Sequence, residues 1–136
     1  MKSAAILIGR LLLAFAFAQG AAFKFWLMGI DSTAAEIAGA GFPFPLLLAW
    51  VAAFFESALA IALLTGLFFR EASIVGAAYV LFLAFSFYGP AKWSGDLMAY
   101  GMFSSHLPFI AGLLFAAAYG PGDRLVVQRI APQPNR

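Results

Sequence analysis

Glu56 lies near the middle of an apolar stretch, PLLLAWVAAFFESALAIALLTGLFF, that holds no other ionisable residue. An ionisable side chain at mid-membrane costs about 2.5–3.5 kcal/mol on insertion scales, so it normally faces a partner or a cavity. Two other polar residues, Gln19 and His106, interrupt apolar runs elsewhere in the chain. At about 1.5 Å per residue, all three lie roughly 12–17 Å below the same membrane surface. A contact among them is therefore geometrically possible.

Two kinds of role are open to Glu56 and to His106. Glu56 could stay protonated or pair with His106, Arg10 or Lys24, as a purely structural contact. It could instead bind the polar head group of a ligand or carry a proton, because a protonatable group in an apolar layer suits both tasks. We expect Arg10 to extend its side chain toward the lipid head groups, as long basic side chains often do.

The composition indicates an integral membrane protein. The 136 residues are 64% hydrophobic and only 10% charged, with a mean hydropathy of +0.94, whereas soluble domains carry roughly 25% charged residues. There is no cysteine and one histidine, which excludes disulfides, cysteine-ligated clusters, bis-histidine haem and a histidine-rich metal site. We predict no metal and no cofactor held by this chain alone.

Four apolar runs predict four transmembrane helices, at about 3–27, 45–69, 72–88 and 97–119. The expected fold is an all-α integral membrane four-helix bundle, with residues 1–136 forming one transmembrane domain. The start resembles a secretory signal, but Arg10 interrupts the apolar part, so we predict a retained helix. Thr33 and Glu36 fit a capping box that would begin a short amphipathic helix in the first outer loop.

The distribution of basic residues predicts the orientation. Lys2, Arg70, Arg124, Arg129 and Arg136 fall on the side of both termini, so both termini and the basic tail, residues 120–136, should be cytoplasmic. Basic side chains beside a membrane suit anionic lipid, and we predict no binding of nucleic acid.

Small residues predict how the helices pack. The second span carries a stripe of Ala58, Ala62 and Gly66 at four-residue intervals, and similar stripes lie on the first and fourth spans. Glu56 shares its own helical face with Ala49, Ala53 and Ala60, so that face should contact a neighbouring helix.

Several stretches together resemble the DoxX family of small four-helix membrane proteins. The stretch GFPFPLLLAWVAAFFESALAIALLTGLFFREAS is similar to the family's second helix, which begins with prolines and has a glutamate at its centre. The stretch RLLLAFAFAQGAAFKF is similar to the first helix, and GPGDRL is similar to the end of the fourth. The resemblance carries over to Gly20, Lys24, Glu56 and Arg70. It implies a membrane subunit linked to thiosulfate:quinone oxidoreduction or to redox defence, in a bacterial cytoplasmic (inner) membrane. Gln19 stands where members often have histidine, so no histidine role is carried over.

We weigh two functions. In the first, the chain is a redox subunit that binds a quinone and receives electrons through a membrane or peripheral partner protein; Glu56 and His106 are its candidate catalytic residues. The alternative is a non-catalytic accessory or assembly subunit of a larger membrane complex; a homo-oligomer is compatible with either. Transport is a third hypothesis, although no pair of broken helices supports it. The predicted quinone-binding set is Glu56, His106, Gln19, Lys24, Tyr100 and Phe103, with Phe23 as a further wall of the site.

Overall fold

The computed structural model describes residues 2–127, and every regular element in that part of the chain is helical. Met1 and residues 128–136 lie outside it, so the predictions for Arg129 and Arg136 fall outside the described residues. The helices are α1 (Lys2–Ala22), α2 (Ile30–Gly39), α3 (Pro45–Thr65), α4 (Phe69–Tyr88) and α5 (Leu97–Tyr119). A π turn, Phe23–Leu27, continues α1, and a 3-10 turn, Pro90–Lys92, follows α4.

Four segments are long and apolar enough to cross a membrane, which confirms the all-α fold with four spans. They are Ser3–Leu27, Pro45–Thr65, Phe69–Lys92 and Leu97–Tyr119. The second span ends four residues before the predicted limit, because Gly66 adopts a left-handed conformation (φ +76°) and its N–H bonds the Ala62 carbonyl. The orientation of the termini and the side on which α2 lies remain predictions.

The predicted capping box at Thr33 is wrong, because α2 begins earlier. Gly29, with φ +85°, precedes its first residue, Ile30. Thr33 therefore lies inside the helix, where its hydroxyl donates to the Gly29 carbonyl at 3.2 Å. The helix ends at Gly39, and Gly41 turns the chain with φ +84°.

The four long helices form a ring in the order α1, α3, α4, α5, and α2 packs against α3. The closest neighbours are α1 with α3 and α4 with α5. Phe17 of α1 fills the centre, where a Cβ added to Gly76 of α4 would lie 3.1 Å from its ring. Gly76 thus allows two helices on opposite sides of the ring to meet through one aromatic side chain.

The face of α3 that packs is the one that contains Glu56. Ala49, Ala53 and Ala60 are all buried, which confirms the prediction for this face. The prediction that Ala58 belongs to a packing stripe is wrong, because Ala58 is exposed. Glu56 explains why this face of α3 packs inward, because a carboxylate is costly in contact with lipid and the helix must turn it toward other helices.

Arg10 extends toward the end of the bundle at which α5 stops, the level that the prediction requires, but there it contacts the protein and is not exposed. Its side chain is buried, and Nη1 and Nη2 donate to the carbonyls of Pro121 and Leu125 at 3.0 and 2.9 Å. Arg70 similarly donates from Nε to the Ala117 carbonyl at 3.0 Å. The carbonyls at and beyond a helix C-terminus lack intrahelical partners and attract cations, and α5 ends where these two arginines can reach.

Candidate functional site

The buried Glu56 carboxylate joins three elements of the bundle. Lys24 Nζ, from the π turn after α1, donates to both oxygens, at 3.0 Å to Oε1 and 2.8 Å to Oε2. The Tyr79 hydroxyl of α4 donates to Oε1 at 2.7 Å. Glu56 is 4% exposed, so these contacts lie inside the protein and not at its surface. We call Lys24, Glu56 and Tyr79 the carboxylate cluster.

The end of α1 is shaped to bring Lys24 to the carboxylate. The π turn there is closed by the Met28 N–H, which donates to the Phe23 carbonyl at 2.8 Å. Such turns are rare and often occur at functional sites. Lys24 Nζ also donates to the Gly20 carbonyl at 3.3 Å, one helical turn earlier. Its three N–H groups therefore have three acceptors, namely two carboxylate oxygens and one carbonyl.

Gly20 permits the close approach of α1 to Glu56. A Cβ built on Gly20 would lie 2.6 Å from Oε2 and 3.3 Å from the carboxylate carbon. Any side chain at position 20 would therefore displace the carboxylate from its present place. Glycine here serves close packing, since its φ is not in the left-handed region.

Sequence reasoning missed Tyr79, although a signal for it was present. Because α3 and α4 are joined by only Gly66–Phe68, residues equally far from this connection lie at equal depth. Glu56 and Tyr79 are about 11 residues to either side of it. The Tyr79 ring is held by an edge-to-face contact with Phe55, with ring centroids 4.9 Å apart, and this points its hydroxyl at the carboxylate.

The carboxylate cluster holds opposite charges in a low-dielectric setting. The Lys24–Glu56 contact is the one ion pair among the side chains of residues 3–127, with side-chain exposures of 19% and 5%. A buried pair often contributes little net stability, but removing one partner leaves an uncompensated charge. Three of the roughly four lone-pair sites of the carboxylate are occupied, so Glu56 retains capacity to accept one further hydrogen bond.

A cavity of about 520 Å³ lies against the cluster, between α2, α3 and α4. Lys24 and Tyr79 form part of its wall. Its other polar lining residues are Thr33, Glu36, Tyr88 and His106, and its aromatic walls are Phe42, Phe55, Phe82 and Phe87. A mostly apolar cavity of this size with a few convergent polar groups has the character of a small-molecule site.

The structure brings together some of the predicted residues. Glu56 and Lys24 form the cluster, and His106 lines the same cavity. His106 does not contact Glu56: its Nδ1 lies 2.6 Å from the Met102 carbonyl, and its ring lies 5.6 Å from that of Tyr88. The partner of Glu56 is therefore Lys24, one of the three alternatives open from the sequence.

Other predicted site residues lie elsewhere. Gln19 is exposed, Tyr100 is 52% exposed, and neither lines the cavity. Phe103 is buried, but it packs against Phe85 and Trp93. Phe23, expected as a wall, is 40% exposed and also lies outside the cavity lining. Depth in the membrane was thus insufficient to place them, because the helical face decides which side chains converge.

Comparison with known proteins identifies the family. The family model described as DoxX matches residues 5–89, which is 85 of the 136 residues and includes the whole carboxylate cluster. Neither curated proteins nor solved structures give a match to this chain.

Proposed function

The chain belongs to the DoxX family, and on that premise we propose that it is a membrane subunit that binds a quinone beside the carboxylate cluster. The observation that carries the proposal is the cavity of about 520 Å³ whose wall includes Lys24 and Tyr79, the two residues that hold Glu56. It supports a ligand that is apolar over most of its surface and has a hydrogen-bond acceptor at one end.

The cavity suits the shape and chemistry of a quinone ring. Phe55 and Phe82 offer flat apolar surfaces, and the Lys24 ammonium and the Tyr79 hydroxyl are polar groups at one part of the wall. His106 and Tyr88 supply polar atoms at another part. A ring with carbonyl oxygens on opposite sides can therefore meet polar groups at both ends while its faces contact phenylalanines.

The chain's residues would bind the ring and manage protons. When bound, a quinone supplies the redox chemistry, since two electrons and two protons convert it into the quinol. Lys24 and Tyr79 already donate to Glu56, so Lys24 would donate to a quinone carbonyl by turning one N–H away from the Gly20 carbonyl, its longest contact at 3.3 Å, while Glu56 keeps the ammonium in position. Glu56 would accept and return a proton through the Tyr79 hydroxyl, and Glu36 and His106 line the cavity directly as further proton-accepting groups.

Electrons would come from a partner protein. The sequence has no cysteine and one histidine, so it offers no ligand set for an iron–sulfur cluster or a bis-histidine haem. The partner is therefore a membrane or peripheral redox subunit. The distribution of lysine and arginine, together with the family, supports a bacterial cytoplasmic membrane with both termini on the cytoplasmic side.

One observation favours a second candidate, a non-catalytic accessory subunit. All three N–H groups of Lys24 already have acceptors within the chain, and Glu56 bridges α1, α3 and α4. A cluster so complete could serve only to hold the bundle together. The chain would then act by packing against a larger complex.

The experiment that separates the two candidates blocks the cavity without touching the cluster. Ala52 of α3 lines the cavity, so Ala52→Leu should abolish retention of quinone by the protein purified in mild detergent, measured by extraction and chromatography. Ala58→Leu is the matched control, because Ala58 is exposed on the same helix outside the cavity. Amounts of both variants in the membrane are measured by immunoblot.

The possible results are distinct. Retained quinone in the wild type and in Ala58→Leu, but not in Ala52→Leu at equal abundance, supports the redox subunit. Absence of quinone from wild-type protein that co-purifies with a membrane complex supports the accessory subunit. Equal quinone in both variants would show that the ligand lies outside this cavity.

A further inference from the structure

A second cavity, about 560 Å³ in volume, lies between α1 and α5 in the other half of the bundle from the carboxylate cluster. It is apolar apart from Arg10 and Tyr119. Two of its lining residues, Leu12 and Phe115, are each 64% exposed, so it is a groove on the outside of the bundle. We call it the α1–α5 groove.

Arg10 brings a buried positive charge to the wall of this groove. The side chain is 2% exposed, and two of its nitrogens donate to backbone carbonyls. Its third nitrogen, Nε, has no hydrogen-bond partner among residues 2–127. Within the same residues no carboxylate forms an ion pair with it. The carbonyls satisfy hydrogen bonds but leave the charge without a counter-charge, which is costly in an apolar setting.

The position of Arg10 along the bundle is that of a membrane surface. Its guanidinium is level with Pro121, two residues after the end of α5. A Cβ built on Gly122 would lie 3.0 Å from Ile6, so the segment after α5 runs beside the first turns of α1. The apolar part of the groove, with Ala16 and Gly112, extends from this level toward the middle of the span.

We propose that the α1–α5 groove binds an anionic phospholipid of the surrounding bilayer, with one acyl chain in the groove and the phosphate at the level of Arg10. The apolar lining suits the chain, and the unneutralised guanidinium suits the acidic head group. An uncharged occupant would fill the same space but leave Arg10 without a counter-charge. The proposal does not depend on the function assigned to the carboxylate cluster.

The test uses the full chain in mild detergent with added dioleoyl phosphatidylglycerol or dioleoyl phosphatidylcholine, and native mass spectrometry of the retained lipid. The wild type should retain about one phosphatidylglycerol per chain, roughly tenfold more tightly than phosphatidylcholine, because phosphatidylglycerol has a net negative charge whereas the choline cation of phosphatidylcholine cancels the charge of its phosphate. The two lipids share their acyl chains, so the comparison isolates the head group.

Gly9→Leu tests the groove while leaving Arg10 in place. Gly9 lines the groove, and a Cβ added there meets nothing within 4 Å, so the leucine fits and fills the space of the acyl chain. Gly101→Leu is the matched control, because Gly101 of α5 also has open space and lies outside the groove. Arg124→Ala removes an exposed arginine after α5 and controls for simple surface attraction.

The results decide the proposal. Loss of phosphatidylglycerol in Gly9→Leu, with retention in Gly101→Leu and Arg124→Ala, supports it. Equal retention of the two lipids, or equal loss in Gly9→Leu and Arg124→Ala, would overturn it. A wild-type dimer that binds no lipid and dissociates in Gly9→Leu would also overturn it, and would assign the groove to a second copy of this chain.

Discussion

Gly20→Ala perturbs the carboxylate cluster with a single methyl group. The added Cβ would lie 2.6 Å from Glu56 Oε2, whereas an ordinary contact begins near 3.4 Å. The carboxylate must therefore retreat by about 0.8 Å, the difference between these distances. The carboxylate is the end of a flexible side chain and can turn away from the new methyl group. The cost of the substitution is therefore that of the hydrogen bonds which the carboxylate loses, and not that of a rigid clash.

The magnitude follows from the bond that is lengthened. A retreat of about 0.8 Å takes the 2.8 Å contact between Lys24 Nζ and Oε2 beyond hydrogen-bond distance. A hydrogen bond to a charged group contributes about 1.5–3 kcal/mol, and alanine in place of glycine inside a helix returns about 1 kcal/mol. The net loss is about 0.5–2 kcal/mol, nearer the lower figure because Lys24 still reaches Oε1 at 3.0 Å.

The assay is reversible unfolding in mixed micelles titrated with sodium dodecyl sulfate, followed by circular dichroism. Gly101→Ala is the control, since Gly101 is also helical and has open space around it. The control should gain stability by about 1 kcal/mol or less. Because the helix contribution is common to both variants, the difference between them should approach the cost of the hydrogen bond alone.

A second substitution makes the prediction specific to the carboxylate. In a Glu56→Ala background there is no oxygen for the new methyl group to displace. Gly20→Ala should then behave like Gly101→Ala. If Gly20→Ala stabilises the wild-type protein as much as the control does, the carboxylate does not lie against Gly20 and the site described above is incorrect.

Three further substitutions address the contacts of the bundle, with the free energy of unfolding as the measurement. Tyr79→Phe should cost about 1.5–3 kcal/mol, because it removes a hydrogen bond to the Glu56 carboxylate. Lys24→Met should cost about 3–5 kcal/mol, because it leaves a buried carboxylate unpaired, and adding Glu56→Gln should recover part of that loss. Gly76→Val should cost about 1–3 kcal/mol by overpacking, because the buried Phe17 ring lies 3.1 Å from the position of the new Cβ.

Each of these expectations has a result that would contradict it. Tyr100→Phe, at an exposed tyrosine of α5, should change stability by no more than about 0.5 kcal/mol, and an equal loss in Tyr79→Phe and Tyr100→Phe would rule out a special contact at Tyr79. Additive losses for Lys24→Met and Glu56→Gln would show that the two side chains do not interact. Unchanged stability in Gly76→Val would mean that Phe17 does not fill the centre of the ring.

Much of the fold follows from composition and from the positions of the apolar runs. Four such runs in a chain with few charged residues require helices that cross the bilayer, because backbone groups in lipid must bond within their own segment. The face of α3 was also predictable, since a carboxylate among alanines is driven inward. The beginning of α2 was not, because Thr33 fits a capping box but Gly29 offers the conformation that starts the helix earlier.

The candidate site could be predicted only in part. Glu56 is identified by its type and place alone, and Lys24 was one of several possible partners. Tyr79 required recognising that the short connection Gly66–Phe68 sets α3 and α4 at matching depths. The exposure of Gln19 could not be obtained from depth, because residues at one depth can face any direction around their helix axes.

The sequence by itself determined that this protein spans a membrane with four helices and holds a carboxylate inside its bundle. The reason is that the length of an apolar run and the cost of exposing a charge to lipid can be read from one segment, without knowing which other segments pack against it. Only the tertiary structure decided that Lys24 and Tyr79 hold Glu56, and that Arg10 turns to the carbonyls after α5. These contacts depend on how the helices are rotated relative to one another and on where each helix ends. Packing between segments that are distant in the sequence sets both.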